Sequence, residues 1–199
     1  RPARYHPRRH PAALAAARPR PLLGPLERAR SAGRHGPLDL HPGPGRSWWS
    51  DAWDGYAADR DRILRFLWER QPANPIVLTG DIHAFLVSDL QLPGRGAGAP
   101  VVATELVGTS ISSGASKSGG FRRHLADNPH IRFFESRLRG YTRCTVLRQR
   151  WYADLRVVAT VERPGAPRPP GCGNRSARRG TGLEWEALTT TYGGAWVRP

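Results

Sequence analysis

The chain has 199 residues, 39% of them hydrophobic, which is enough for one domain with a hydrophobic core. Its formal net charge of +15 is of the kind found in nucleic-acid-binding proteins. Specific nucleic-acid binding is nevertheless disfavoured, because Lys117 is the only lysine and the excess arginine lies mainly in two patternless ends. We also predict no membrane span, since no apolar run reaches about eighteen residues.

Residues 1–36 are dominated by arginine, proline and alanine, and Glu27 is their only acidic residue. Proline recurs at positions 2, 7, 11, 19, 21 and 25 and interrupts any helical periodicity. We therefore predict that residues 1–36 are unstructured. Their apolar run at 14–17 is too short for a signal peptide, so the sequence predicts no export signal.

Residues 37–167 are the patterned part of the chain, and their mixture of helical and strand patterns predicts an α/β fold. Residues 59–70 are predicted to form an amphipathic helix whose apolar stripe holds Ile63, Leu64, Leu67 and Trp68. Three strands are predicted at 76–78, 85–90 and 101–106. A β-hairpin is predicted from 140–147 and 151–161.

Residues 168–199 return to glycine, proline and arginine, and we predict an unstructured tail with one helical turn at 183–188. An out-of-frame reading of a G+C-rich gene at both ends would produce such a composition. A non-functional product of a frameshifted gene is therefore one alternative for this chain. Natural disorder of the two ends is another.

One short motif, Thr79-Gly80-Asp81-Ile82-His83, follows the apolar strand at 76–78. Ligands collect beyond the carboxyl ends of strands in open α/β sheets, and Gly80 permits a sharp exit there. In an extended backbone, Asp81 and His83 would point to the same side. A carboxylate and an imidazole together suit iron, manganese or zinc. On these residues alone the metal signal is weak, and a capping aspartate beside a surface histidine is the favoured interpretation.

Five blocks of sequence occur in a shared order and approximate spacing, namely Trp53–Tyr56, Asn74–His83, Val102–Ile111, Asn128–Phe134 and Arg139–Tyr141. Together they resemble the C-terminal portion of PhoD-type alkaline phosphatases over residues 37–167. The resemblance implies part of a calcineurin-like metallophosphoesterase sandwich, with two β-sheets flanked by helices. It implies hydrolysis of phosphate mono- and diesters, and proteins that are typically secreted, periplasmic or held in the cell envelope.

The resemblance also implies a metal centre of iron and calcium, with Asp81 and His83 as two of its ligands. A metal-activated water would attack phosphorus, so no protein nucleophile is required. The family's other ligands lie upstream, and residues 1–36 contain no Asp, Asn or Cys. We therefore expect a phosphoesterase fragment that is inactive alone.

Three further residues are candidates for supporting a metal ligand or contacting the substrate: Glu105, Asn128 and His130. Glu105 lies in a strand-like apolar run, where it either marks the strand end or supports His83. Asn128 and His130 flank Pro129, and a purely structural turn is favoured over a substrate contact.

Overall fold

Two β-sheets and one α-helix organise the part of the chain that the computed structural model describes. That part comprises residues 28–41, 44–72, 75–94, 98–114, 117–147, 151–158, 160–165, 175–178, 183–186 and 195–196. Within it, no helix is long and apolar enough to cross a membrane.

The strands are β1 (Arg28–Arg30), β2 (Ile76–Thr79), β3 (Phe85–Gln91), β4 (Val101–Val107), β5 (Ile131–Glu135), β6 (Arg139–Val146), β7 (Trp151–Val158), β8 (Arg175–Arg178), β9 (Leu183–Glu186) and β10 (Ala195–Trp196). The helix is α1 (Ala57–Arg70), and 3-10 helices cover Trp53–Tyr56 and Lys117–His124. The larger sheet has the order β1-β2-β4-β3-β5-β10, and the smaller has β6-β7-β8-β9. Strands β1, β2 and β4 are parallel, whereas β3 is antiparallel to β4 and β5.

Side chains of the larger sheet alternate between two faces, as the two-residue period of a strand requires. One face packs against the smaller sheet through Ile76, Phe85, Val87, Leu106, Phe133, Trp151, Ala153, Leu155 and Val157. The neighbouring Val77 and Leu86 face the other way, into cores that contain Leu64 of α1 and Leu38. The larger sheet therefore lies between the smaller sheet and a layer made of α1 and connecting segments.

Helix α1 (Ala57–Arg70) confirms the amphipathic pattern predicted for residues 59–70. Leu64 anchors the helix to the sheet and is 3% exposed. Trp68, which the predicted stripe includes, is instead 37% exposed. The helix ends because Gln71 adopts a left-handed backbone with φ of 48° and donates its N–H to the carbonyl of Leu67.

The predicted strands at 76–78, 85–90 and 101–106 are confirmed as β2, β3 and β4, and the predicted hairpin is β6 and β7. The helical turn predicted at 183–188 is wrong for residues 183–186, because they form β9 against β8. Leu183 and Trp185 alternate there with Glu184 and Glu186, which is the two-residue period of a strand.

The fold begins before residue 37, although the composition predicts an unstructured stretch up to Gly36. Strand β1 pairs in parallel with β2, and Arg34 and His35 are 1% and 5% exposed. Composition does not reveal this, because the segment is held through distant partners and not by its own apolar pattern. Residues 1–27 lie outside the described residues, and β8, β9 and β10 fall within the predicted tail at 168–199.

The carboxylate of Glu105, which is 0% exposed, binds the segment before Pro37 to the larger sheet. Its Oε1 accepts hydrogen bonds from the backbone N–H of His35 at 2.6 Å and from the Thr79 hydroxyl at 3.0 Å. Its Oε2 accepts from the N–H of Gly36 at 2.8 Å and from the Ser88 hydroxyl at 3.1 Å. Burial alone would raise the pKa of Glu105, but its interactions with His35 and Gly36 hold that pKa below the ordinary value.

Asp54 forms a second buried anchor, between the same segment and helix α1. Its carboxylate pairs with the guanidinium groups of Arg34 at 2.7 Å and Arg60 at 2.5 Å. It also accepts the backbone N–H of Leu38 at 3.3 Å. Asp54 therefore joins residues on both sides of Pro37 to the start of α1.

We predict that Glu105→Gln lowers the free energy of unfolding by about 2–3 kcal/mol, because an amide nitrogen cannot accept two of the four buried hydrogen bonds. The depressed pKa of Glu105 contributes stability that is present above its ordinary value of 4.5 and is lost as the pH falls through the lower folded value. Urea unfolding at several pH values measures both effects.

Glu162→Gln is the matched control, because Glu162 is exposed on a bend. The variant lacking the Glu105 charge should lose less stability than wild type on acidification. Equal stability of the two variants at neutral pH would contradict the anchoring role of Glu105.

Candidate metal centre

The candidate metal loop, Gly80–Ala84, begins where β2 ends at one edge of the larger sheet. Strands β2 and β4 are parallel, so the loop at 108–113 that follows β4 leaves the same edge. The N–H of Gly108 donates to the carbonyl of Thr79 at 2.9 Å, and this bond joins the end of β2 to the end of β4. This edge is the carboxyl end of two parallel strands, where α/β proteins bind ligands.

The backbone of the loop is left-handed at Asp81 (φ 76°) and at His83 (φ 54°). The expectation that these two residues share an extended backbone is therefore wrong. Buried and more exposed side chains nevertheless alternate along the loop. Ile82 and Ala84 are 3% and 0% exposed and pack in the core beside Leu86. Asp81, which precedes Ile82, is exposed, and His83, which lies between Ile82 and Ala84 in the chain, is half-buried.

The imidazole of His83 is held from one side by a serine. Its Nδ1 lies 3.3 Å from the hydroxyl of Ser113. The described residues provide no hydrogen bond to its Nε2. A histidine that ligates a metal commonly has its other ring nitrogen engaged in this way, which fixes the tautomer and the orientation of the ring.

The side chain of Arg139 connects the loops around His83. The two N–H groups of one guanidinium nitrogen, Nη1, are shared among three acceptors, namely the carbonyl of His83 and the hydroxyls of Thr109 (3.0 Å) and Ser110 (3.1 Å). Nη2 donates to the carbonyl of Ser136. Burial lowers the pKa of Arg139, and the charge of Glu135 partly opposes that shift.

Glu105 does not contact His83, because its carboxylate is occupied by His35, Gly36, Thr79 and Ser88. It acts on the candidate loop only through Thr79, the residue before Gly80. The alternative of a charge at a strand end is also excluded, since Glu105 lies inside β4 and is fully buried.

Asn128 and His130 hold the segment after Pro37 against the turn that precedes β5. Asn128 accepts the N–H of Asp39 at 2.9 Å and donates to the carbonyls of Asp39 (3.0 Å) and His124 (2.8 Å). The Nε2 of His130 lies 2.7 Å from the carbonyl of Pro37, so it carries the proton. Burial lowers the pKa of His130, which keeps its ring neutral near pH 7. These contacts favour the structural interpretation of both residues.

The described residues fit only part of a metal centre. No group of three or more His, Cys, Asp or Glu side chains within them could hold a metal ion. Asp81 and His83 would supply two donors, whereas protein-bound cations take about four to eight. Any such centre therefore needs donors from outside the described part of this chain.

Sequence reasoning did not identify Arg139 or Ser113. Arg139 is one of many arginines, and its partners lie up to 56 residues away in the chain. Ser113 ends a stretch rich in serine and threonine, residues 109–113, that predicts only a turn. Arg139 opens one of the five blocks that resemble the family, but neither residue has a local pattern that indicates a role beside His83.

Comparison with known proteins gives consistent results. A family model described as PhoD-like phosphatase matches residues 25–155. Alkaline phosphatase D of Bacillus subtilis (strain 168) is 40% identical over 147 residues, which cover 72% of this chain and 25% of that protein. A solved structure of PhoD matches with a TM-score of 0.70 and 32% identity, covering 86% of this chain and 33% of that one.

The chain thus spans between a quarter and a third of the length of these relatives. The family match starts at residue 25 and so includes residues 25–36, for which the sequence predicts no structure. Because the match covers most of the chain, and both the similar sequence and the similar solved structure agree with it, the chain belongs to the PhoD-like phosphatase family.

Proposed function

We propose that this chain is part of a metal-dependent phosphoesterase and supplies Asp81 and His83 to its metal centre. One observation carries the proposal: the Gly80–Ala84 loop buries Ile82 and Ala84 and leaves Asp81 and His83 outside the core, with Ser113 on Nδ1 of His83. The reaction would be hydrolysis of phosphate mono- and diesters, as the family suggests.

The proposed architecture is a calcineurin-like sandwich of which this chain forms a part. Two sheets packed face to face, with α1 on the outer face of the larger sheet, support it. The proposed metals are iron and calcium, which would supply an activated water and neutralise charge on the phosphoryl group. Within this chain, the Asp81 carboxylate and Nε2 of His83 would hold metal, and Ser113 would keep the imidazole in one orientation.

We predict that the chain alone does not hydrolyse p-nitrophenyl phosphate or bis(p-nitrophenyl) phosphate, even with iron and calcium added. The physical reason is that two donors cannot hold and activate a metal centre. Release of p-nitrophenolate by the purified chain measures this. Hydrolysis that disappears in His83→Ala would show that the chain contains a complete site.

A chimaeric enzyme tests the positive half of the proposal. Residues 28–158 of this chain would replace the matching part of the Bacillus subtilis alkaline phosphatase D, to which the chain is 40% identical. We expect the chimaera to hydrolyse p-nitrophenyl phosphate and to lose at least about 100-fold in kcat/KM with His83→Ala, because ligand loss weakens the metal centre. Metal content measured by mass spectrometry should fall with it.

His41→Ala is the matched control in the chimaera, since His41 is exposed and lies outside the candidate loop. It should leave activity and metal content unchanged. Equal activity of the His83→Ala and His41→Ala chimaeras would remove His83 from the metal centre.

The frameshift alternative can be tested at the boundary between Gly36 and Pro37. The family match from residue 25 speaks against it. Trypsin cuts after Arg34 and Arg46, so detection of the peptide 35–46 in the native host would exclude a frame change between Gly36 and Pro37.

A further inference from the structure

We propose that Arg139 is a positioning residue for His83, which fixes both the backbone and the ring of that histidine by holding three loops together. The significance of this inference for metal binding rests on the proposed function, in which His83 is a ligand. The physical claim about the loops stands on the contacts of Arg139 alone.

Arg139 is 5% exposed, and its guanidinium contacts each of the three loops that meet at this edge of the larger sheet. It donates to the His83 carbonyl in the loop after β2 and to the Thr109 and Ser110 hydroxyls in the loop after β4. It also donates to the carbonyl of Ser136, which follows β5. A single side chain therefore joins the exits of three strands.

The charge of Arg139 is directed to neutral oxygen atoms. Among the described residues it forms no ion pair, and the nearby Glu135 pairs with Arg137 at 3.2 Å. Its Nε is buried without a hydrogen-bond partner among the described residues, so only the bonds of Nη1 and Nη2 offset the cost of burying the guanidinium without a carboxylate. Because the acceptors come from three loops, the burial of Arg139 requires these loops to keep their relative positions.

One of the hydroxyls that accept from Arg139, that of Ser110, connects the guanidinium to the serine that contacts the ring of His83. Arginine can only donate, so the protons of these hydroxyls point elsewhere. The Thr109 hydroxyl donates to the carbonyl of Leu138 at 3.3 Å, and the Ser110 hydroxyl donates to the carbonyl of Ser113 at 2.9 Å. Ser113 in turn contacts Nδ1 of His83 at 3.3 Å. The backbone of His83 and the partner of its ring thus depend on the same guanidinium.

Hydrogen exchange of the full chain, followed by mass spectrometry, tests the inference. Arg139→Gln and Arg139→Lys should each speed exchange in peptides covering 80–84 and 108–113 by about tenfold or more, since each loses charge-assisted hydrogen bonds that close the loops. Exchange in β3 and β4 should stay at wild-type rates. Lysine should fail to substitute because an ammonium lacks the planar fork that reaches several acceptors.

Arg137→Gln is the matched control, because Arg137 is 62% exposed in its side chain and pairs with Glu135. The inference is overturned if Arg139→Gln changes loop exchange no more than Arg137→Gln, or if Arg139→Lys restores wild-type exchange. Should Arg139→Gln unfold globally, the double variant Thr109→Val, Ser110→Ala decides the question. It keeps the charge and removes two acceptors, so loop exchange that stays at the wild-type rate in it would also overturn the inference.

Millimolar Mn²⁺ added to the chimaera with Bacillus subtilis alkaline phosphatase D separates this inference from the proposed function, because the chimaera is designed to supply donors from outside this chain. In the chimaera Mn²⁺ should slow exchange at 80–84, and Asp81→Asn should abolish that protection. The Arg139 variants of the chimaera should need about 10–100-fold more Mn²⁺ for the same protection, as is usual when the support of a ligand is removed. Absence of Mn²⁺ protection in the unchanged chimaera would contradict the metal role of Asp81 and His83, while the metal-free exchange rates of this chain would still decide the role of Arg139.

Discussion

Glu105 gathers four hydrogen-bond donors around a carboxylate that has no contact with solvent. A buried charge without such donors would cost several kcal/mol, so the N–H groups of His35 and Gly36 help to stabilise the carboxylate inside the fold. One of the donors, Thr79, is the last residue of β2. The same carboxylate therefore fixes the point at which the candidate metal loop leaves the sheet.

Arg139 has the opposite charge and acts at the other end of that loop. Glu105 holds Thr79 before the loop, and Arg139 holds the carbonyl of His83 within it. The loop is thus held by hydrogen bonds to a buried anion, Glu105, before it and to a buried cation, Arg139, within it. Both side chains direct their other hydrogen bonds to neutral groups of other segments. Polar contacts with residues distant in sequence therefore fix the backbone of the loop. The packing of Ile82 and Ala84 fixes how closely the loop lies against the core.

Local patterns in the sequence predicted a large part of this structure. The period of α1, the apolar runs of β2, β3 and β4, the β6–β7 hairpin and the family blocks all depend on residues that are close in sequence. What the sequence did not predict depends on distance: Glu105 lies 70 residues from one of its backbone donors, and Arg139 lies 56 from His83. The left-handed backbone at Asp81 and His83 was missed because residues other than glycine rarely adopt it. β9 was missed because four residues carry too short a pattern to distinguish a strand from a helical turn.

The burial of Ile82 and Ala84 on either side of His83 has a thermodynamic consequence for the proposed metal binding. Ordering the backbone of one residue costs roughly 1–2 kcal/mol, and a mobile loop must meet that cost when a ligand arrives. Here the folding of the core has already restricted the loop, so an arriving ion would lose little of its binding free energy to conformational entropy. Affinity would then be governed by the number and charge of the donors that the rest of the enzyme contributes. Selectivity between ions would follow from the rigidity of the loop, because a pre-organised pair of donors tolerates only a narrow range of ionic radii.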